Sequence, residues 1–261
     1  MGLWWNTTAL PSEVVEVASS LIVHSHRGGI DWPRTLARAT QKHAQGIRAA
    51  VVTTNLDHGN TTPRQFDQLR TLLRENQLDI EVELAIELNL RTDLFDRIAR
   101  ASMLAGPLNR RFAFLRVSPT NFMPIAPVVE TLKRMGLQTV LISPERCSWL
   151  RSQPDEWERF KRAKTRIRIS TSSLSYDAAD PGCDRFTKKL LRCGQVHCVG
   201  FDQSNQSSAS DWPEDQMQSA SDVGKKLRRL VGPSRARAIL TDNAQIFMDG
   251  TRSTASVLQS A

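Results

Sequence analysis

Seven short apolar, β-branched runs recur along the chain with segments of helical period between them, and this alternation restricts the fold more than any single motif. The runs are Leu21–Val23, Ile47–Val52, Ile80–Ile86, Phe112–Val117, Gln138–Ile142, Arg166–Ile169 and Val196–Val199. Short apolar runs of this kind suit strands buried on both faces of a sheet. Pro33 opens a helical stretch that closes before Gly46, and Pro63 opens another through Leu69, Leu72 and Leu73. Pro124 begins a third, which closes at Gly136. Asp155 to Lys164, Asp184 to Arg192, Ser219 to Leu230 and Ser234 to Leu240 supply the rest. Proline near the first helical position and glycine after the last are the expected start and stop signals. The connection from Ile86 to Phe112 has helical spacing at Leu94, Ile98 and Leu104. Strands alternating with helices predict a parallel α/β fold, as an open doubly wound sheet or as a closed or distorted barrel.

The chain has 261 residues, enough for one large domain. A single domain over 1–249 is expected, with 1–20 as an N-terminal extension and 250–261 as a C-terminal tail. No stretch approaches the roughly 18 apolar residues of a membrane span. Met1-Gly2-Leu3-Trp4-Trp5 lacks the basic flank and apolar core of a secretory signal, so the expected address is cytoplasmic. The formal charge of +8 is spread over short clusters at Arg159 to Arg168, Lys188-Lys189 and Lys225 to Arg229. Aromatic residues do not interleave with them, which argues against a nucleic-acid groove and for a basic surface favouring anionic partners. Cys147, Cys183, Cys193 and Cys198 form no C-x-x-C pair and read as reduced thiols. None begins a C-x5-R stretch, so the cysteine-thiolate route to phosphate-ester hydrolysis is excluded. No glycine-rich phosphate loop follows any run.

In parallel α/β folds the working residues collect where strands end. Those ends carry His24 and His26, Thr54-Asn55, Glu87, Arg116, Ser143-Pro144-Glu145-Arg146, Ser170-Thr171 and Asp202. Two imidazoles two residues apart point the same way off a strand, so His24 and His26 can grip one metal ion or approach one phosphate. Asp31, after Gly28-Gly29, can return a carboxylate to the same spot. Charges placed directly after buried strands are costly unless they pair or bind something. The rim therefore reads as a metal or phosphate site, or as a polar edge closed by ion pairs such as Glu87 with Arg116 or Arg146.

In this order the positions resemble the PHP (polymerase and histidinol phosphatase) superfamily. The nearer likeness is to its bacterial manganese-dependent protein-tyrosine phosphatases of capsular and exopolysaccharide synthesis. His24-Ser25-His26 with Gly29-Ile30-Asp31 is similar to the opening H-x-H…G-x-D motif, and Glu87 to the metal-bridging glutamate. Ser143-Pro144-Glu145-Arg146 resembles the H-P-E-R segment. Leu190 through His197, running into Phe201-Asp202-Gln203-Ser204, resembles the segment ending S-D-A-H. The likeness runs from about Leu21 to Asp249. It implies a distorted seven-stranded (β/α) barrel and a cluster of about three metal ions, manganese or another divalent metal. His24, His26, Asp31, Glu87 and Asp202 would hold metal, and Arg146 would act catalytically by steadying the phosphate.

The departures point the other way. Asn55 and Leu56 stand where the family has paired histidines, Ser143 and Ser204 replace two more, and Arg116 stands where an acidic residue is usual. A structural metal site contributes roughly 10–16 kcal/mol over four ligands, so losing at least three imidazoles removes many powers of ten in affinity. Arg116 is then readable as an internal cation that neutralises carboxylates. Two functions are expected from the resemblance. One is a weakened metal-dependent phosphoesterase acting on a phosphotyrosine protein, such as a bacterial tyrosine autokinase. The other is an inactive relative that binds or regulates such a kinase.

Overall fold

The computed structural model describes residues 14–25, 29–55, 63–90, 93–95, 112–174, 180–201 and 219–252. Seven parallel strands form one sheet in sequential order: β1 (Val14–Ser19), β2 (Ile47–Asn55), β3 (Glu81–Asn89), β4 (Phe112–Arg116), β5 (Gln138–Ile142), β6 (Arg166–Ser170) and β7 (Cys198–Gly200). The helices are α1 (Trp32–Ala44), α2 (Pro63–Glu75), α3 (Ala126–Arg134), α4 (Ser148–Arg151), α5 (Pro154–Ala163), α6 (Pro181–Arg192), α7 (Ala220–Val231), α8 (Pro233–Arg237) and α9 (Asn243–Arg252). A π-type turn at Ala238–Asp242 joins the last two.

Alternate residues of each strand face opposite sides of the sheet. On one side Leu115, Leu141, Ile167, Ile169 and Val199 pack under α3, α5, α6 and α7, while Ala50, Val52 and Leu84 pack against α1 and α2. On the other side Val15, Val17, Val51, Phe112, Phe114, Val140 and Cys198 form a second core. It is filled by α9, whose Phe247 ring stands 4.8 Å from Phe112 and 5.9 Å from Phe114. The sheet is curled around this inner core, and β7 lies beside β1. Among the described residues no backbone ladder joins those two strands. They meet through buried charges instead. Lys42 from α1 donates to Glu16 of β1 at 2.7 Å and to the Phe201 carbonyl at 3.0 Å, while the Phe201 N–H donates to Glu16 at 3.0 Å.

The expected starts and stops hold for most elements, but the first strand is displaced. It occupies Val14–Ser19, within the stretch expected to be an extension, and Leu21–Val23 follows it outside the sheet. Its charged middle residue, Glu16, hides it from a reading based on apolar runs. The last helix continues to Arg252, past the boundary read at residue 249. Of the connection expected to carry Leu94, Ile98 and Leu104, only 93–95 is described, with Leu94 buried. The four cysteines are free thiols, and only Cys193 is exposed. No helix of the described residues is long and apolar enough to cross a membrane.

Candidate functional site

Glu87 sits near the carboxyl end of β3, is 5% exposed, and is held from two sides. Arg116, the last residue of β4, reaches it with two nitrogens: Nε donates to Oε1, and Nη2 donates to Oε2 at 2.9 Å. Thr53 of β2 donates its hydroxyl to Oε2 at 3.0 Å. Three adjacent strands thus converge on one carboxylate, because residues of matching parity at their ends face the same side. The paired fork is the strongest common geometry for a guanidinium and a carboxylate.

A second guanidinium lies deeper. Arg168 of β6 is fully buried on the inner side. Its Nε donates to the Val17 carbonyl at 2.9 Å, Nη1 to the Ser143 hydroxyl at 3.2 Å, and Nη2 to the Ala18 carbonyl at 3.3 Å. Ala18 and Ser143 both adopt left-handed backbone, with φ of 57° and 53°. Such strain in non-glycine residues costs about 1–3 kcal/mol each and persists where surrounding contacts fix it. Ala18 lies at a register shift between β1 and β2, a bulge that turns its carbonyl toward the guanidinium. Ser143 is where the resemblance places a ligand histidine; here it receives a cation.

Glu145, from the same Ser143–Arg146 segment, is fully buried and accepts from the Ser170 N–H at 2.9 Å and the Ser173 hydroxyl at 2.8 Å. Its second oxygen has no hydrogen-bond partner among the described residues. Burial pushes this carboxyl above its ordinary range, against the pull of those two hydrogen bonds. The native state therefore holds the proton more tightly than the unfolded chain does. The resulting stability is fully present below the unfolded value and is lost as pH rises through the native one. Glu145→Gln mimics the neutral acid. It is expected to raise the urea midpoint at about pH 8 above wild type and to flatten the decline in stability from about pH 5 upward.

The other expected site residues are distributed as follows. His24 is half-buried in an isolated antiparallel bridge with Ile30, beyond the end of β1 rather than on a strand. Asp31 caps α1, accepting from the Arg34 N–H at 3.1 Å, with the Arg34 side chain 3.5 Å away. Arg146 is exposed, and the partner of Glu87 is Arg116. His26 and Asp202 lie outside the described residues. Arg168, Glu16 and Lys42 were missed by sequence reasoning. The available signal was a charge flanked by apolar residues inside each of two strands, Glu16 in Val-Val-Glu-Val and Arg168 in Arg-Ile-Arg-Ile.

A divalent metal needs carboxylates and imidazoles with open acceptor faces. Among the described residues no group of three His, Cys, Asp or Glu side chains can hold a metal ion. The strand-end carboxylate already carries a guanidinium, and the serine at the histidine position already receives another. The residues described do not fit the metal cluster that the resemblance implies.

A curled, sequential parallel sheet with charged side chains at its carboxyl ends defines a protein of barrel-like α/β architecture. The chain belongs to the CpsB/CapC family of capsular polysaccharide synthesis, whose family model matches residues 23–249. It is similar to a solved structure described as YwqE from Bacillus subtilis and CpsB from Streptococcus pneumoniae, unique metal-dependent tyrosine phosphatases. The identity is 17% and the TM-score 0.71, with 91% of this chain and 95% of that chain covered. It shares the fold more distantly with a mutant organophosphorus hydrolase from Deinococcus radiodurans, at 13% identity and TM-score 0.52 over 88% of this chain and 91% of that one. A dihydroorotase from Campylobacter jejuni matches at 10% identity and TM-score 0.52, over 91% and 83%. No curated protein sequence matches the chain.

Proposed function

We propose that this member of the capsular family is a cytoplasmic phosphotyrosine-recognition protein. It keeps the distorted barrel of the tyrosine phosphatases and has lost most or all of their turnover. The observation that carries this reading is the Arg116–Glu87 fork, which puts an internal cation on the carboxylate that would otherwise bridge metals. Arg168 on Ser143 supports it independently. Arg116 is neutralised by Glu87, so the cation left to the rim is Arg146, exposed in the turn after β5. A phosphotyrosine carries a charge of about −2 near neutral pH and several acceptor oxygens, and an exposed arginine suits such a group. The partner proposed is the phosphorylated tail of a bacterial tyrosine autokinase, bound without hydrolysis and thereby shielded from other enzymes.

The structural likeness to metal-dependent tyrosine phosphatases favours a second reading, a weakened phosphoesterase. In it, His24, His26, Asp31, Glu87 and Asp202 hold an incomplete manganese site, with Arg146 beside the phosphate. Purified chain dialysed against manganese separates the two readings. The expected result is well below one metal per chain, no release of phosphate from a phosphotyrosine peptide, and binding of that peptide in preference to its unphosphorylated form. Stoichiometric manganese, with turnover abolished by His26→Ala, would establish the phosphoesterase.

A further inference from the structure

The carboxyl ends of the strands carry the site above; their amino ends enclose a separate cavity of about 400 Å³. It opens where β5 and β6 begin and where the chain enters β7. Trp157 and Phe160 of α5 supply apolar wall, and Lys164, Thr165, Arg166 and His197 supply polar groups. No carboxylate lines it among the described residues. Among the described residues Lys164 and Arg166 form no ion pair, while Lys161 at the same wall is held by Glu158 at 2.7 Å. The carboxyl termini of α5 and α6 lie at this place and contribute about half a negative charge each. Lys164 and Arg166 together exceed what those two termini neutralise.

Two further groups are placed for a ligand. The Thr165 hydroxyl is 94% buried (6% exposed) and has no hydrogen-bond partner among the described residues. Orphaned buried hydroxyls are uncommon and costly in the absence of a ligand. His197 accepts the Ile167 N–H at Nδ1, 3.1 Å away. Burial, aided by Arg166 and Arg235, pushes its imidazole down to about 4, so the ring is neutral near pH 7 and the cations at this place are the lysine and arginine side chains. Lys164 holds a left-handed conformation, φ 57°, at the end of α5, where glycine is the usual occupant.

We propose that this cavity binds a small organic diphosphate, with Arg166 and Lys164 on the phosphate oxygens, the Thr165 hydroxyl donating, and the apolar wall against the organic body. The volume is too large for a lone phosphate and falls within the range of small-ligand sites, about 300–1,000 Å³. Of organic diphosphates, a nucleoside diphosphate has a body of a size for the remaining volume, against the small surfaces that Trp157 and Phe160 leave exposed, 7% and 2%. The site lies at the opposite end of the strands from Glu87, so the proposal does not depend on whether phosphotyrosine is bound or hydrolysed.

Calorimetric titration of the full chain with UDP and with uridine, at ionic strength near 0.15 M, tests it. UDP is expected to bind at one site and uridine not to bind. Arg166→Gln should weaken UDP by roughly tenfold or more, as loss of a charged hydrogen bond does. Thr165→Val should also weaken UDP while leaving the urea midpoint unchanged or higher, because its hydroxyl has no partner in the free protein. The His197 ring resonance should titrate at higher pH with UDP present, since the ligand offsets Arg166. Absence of UDP binding, equal binding of uridine, or UDP affinity unchanged in folded Arg166→Gln and Thr165→Val would each overturn the proposal.

Discussion

Gly200→Ala is expected to lower unfolding free energy by about 3–5 kcal/mol, the range for leaving a buried charge uncompensated. A domain of this kind holds only about 5–15 kcal/mol in total, so much of the variant should be unfolded in mild urea. The cause is space rather than backbone conformation. A Cβ at position 200 would lie 1.6 Å from Arg168 Nη2, 1.9 Å from its Cζ and 2.1 Å from its Nε. The guanidinium cannot give way, because Val17, Ser143 and Ala18 hold its three nitrogens and no part of the side chain reaches solvent. The comparison that isolates this contact is Arg168→Met, alone and combined with Gly200→Ala. Met fills similar length without charge but leaves the Val17 and Ala18 carbonyls and the Ser143 hydroxyl without their donor, so Arg168→Met itself destabilises and the informative quantity is the cost of the alanine within that background. In the Arg168→Met background the alanine should add little further loss, giving strong non-additivity between the two sites. Equal cost of Gly200→Ala in both backgrounds, read from urea unfolding, would show that the guanidinium is not what the methyl group meets.

Local chemistry made most of the scaffold legible. Gln138–Ile142 could be read as a strand because Gly136 ends the preceding helix and Pro144 begins the next turn, so both limits are written beside it. Helices opening at or near Pro33, Pro63 and Pro154 follow from proline's tolerance at a first helical turn. The first strand was not legible, because Glu16 interrupts its apolar run. Its partners are Lys42, 26 positions on, and the Phe201 N–H, 185 positions on, which no local window contains. Arg168 failed for the same reason. Counted among the basic residues from Arg159 onward it looks like a solvated helix face, whereas alternation in β6 turns it inward. At the candidate site Glu87 was legible as a charge at a strand end, and Arg116 as one of its two possible partners. The choice of Arg116 over Arg146 depends on which strand end carries its side chain inward, a property of the register between β3 and β4.

The second large effect is expected from Lys42→Met, again about 3–5 kcal/mol at neutral pH, because Glu16 remains buried without its cation. Glu16 accepts from Lys42 and from the Ser19 hydroxyl, each at 2.7 Å, and from the Phe201 N–H at 3.0 Å. Two neutral donors survive the substitution, but neither offsets a full charge. Glu16→Gln combined with Lys42→Met should recover part of the loss at neutral pH, since the amide oxygen can still accept the Phe201 N–H. Position makes this pair more than an ordinary buried ion pair. It bridges β1 and the end of β7, where among the described residues no ladder closes the sheet, and it lies beside Val17 and Ala18, whose carbonyls hold Arg168. Loosening the seam should therefore be local before it is global. Amide exchange at Phe201 should accelerate in Lys42→Met, while the β4–β5 ladder through Phe114 and Val140 stays protected. Equal acceleration in both places would mean that the charges stabilise the whole core without pinning the seam, and Arg168 would then need no help from Lys42 to hold its place.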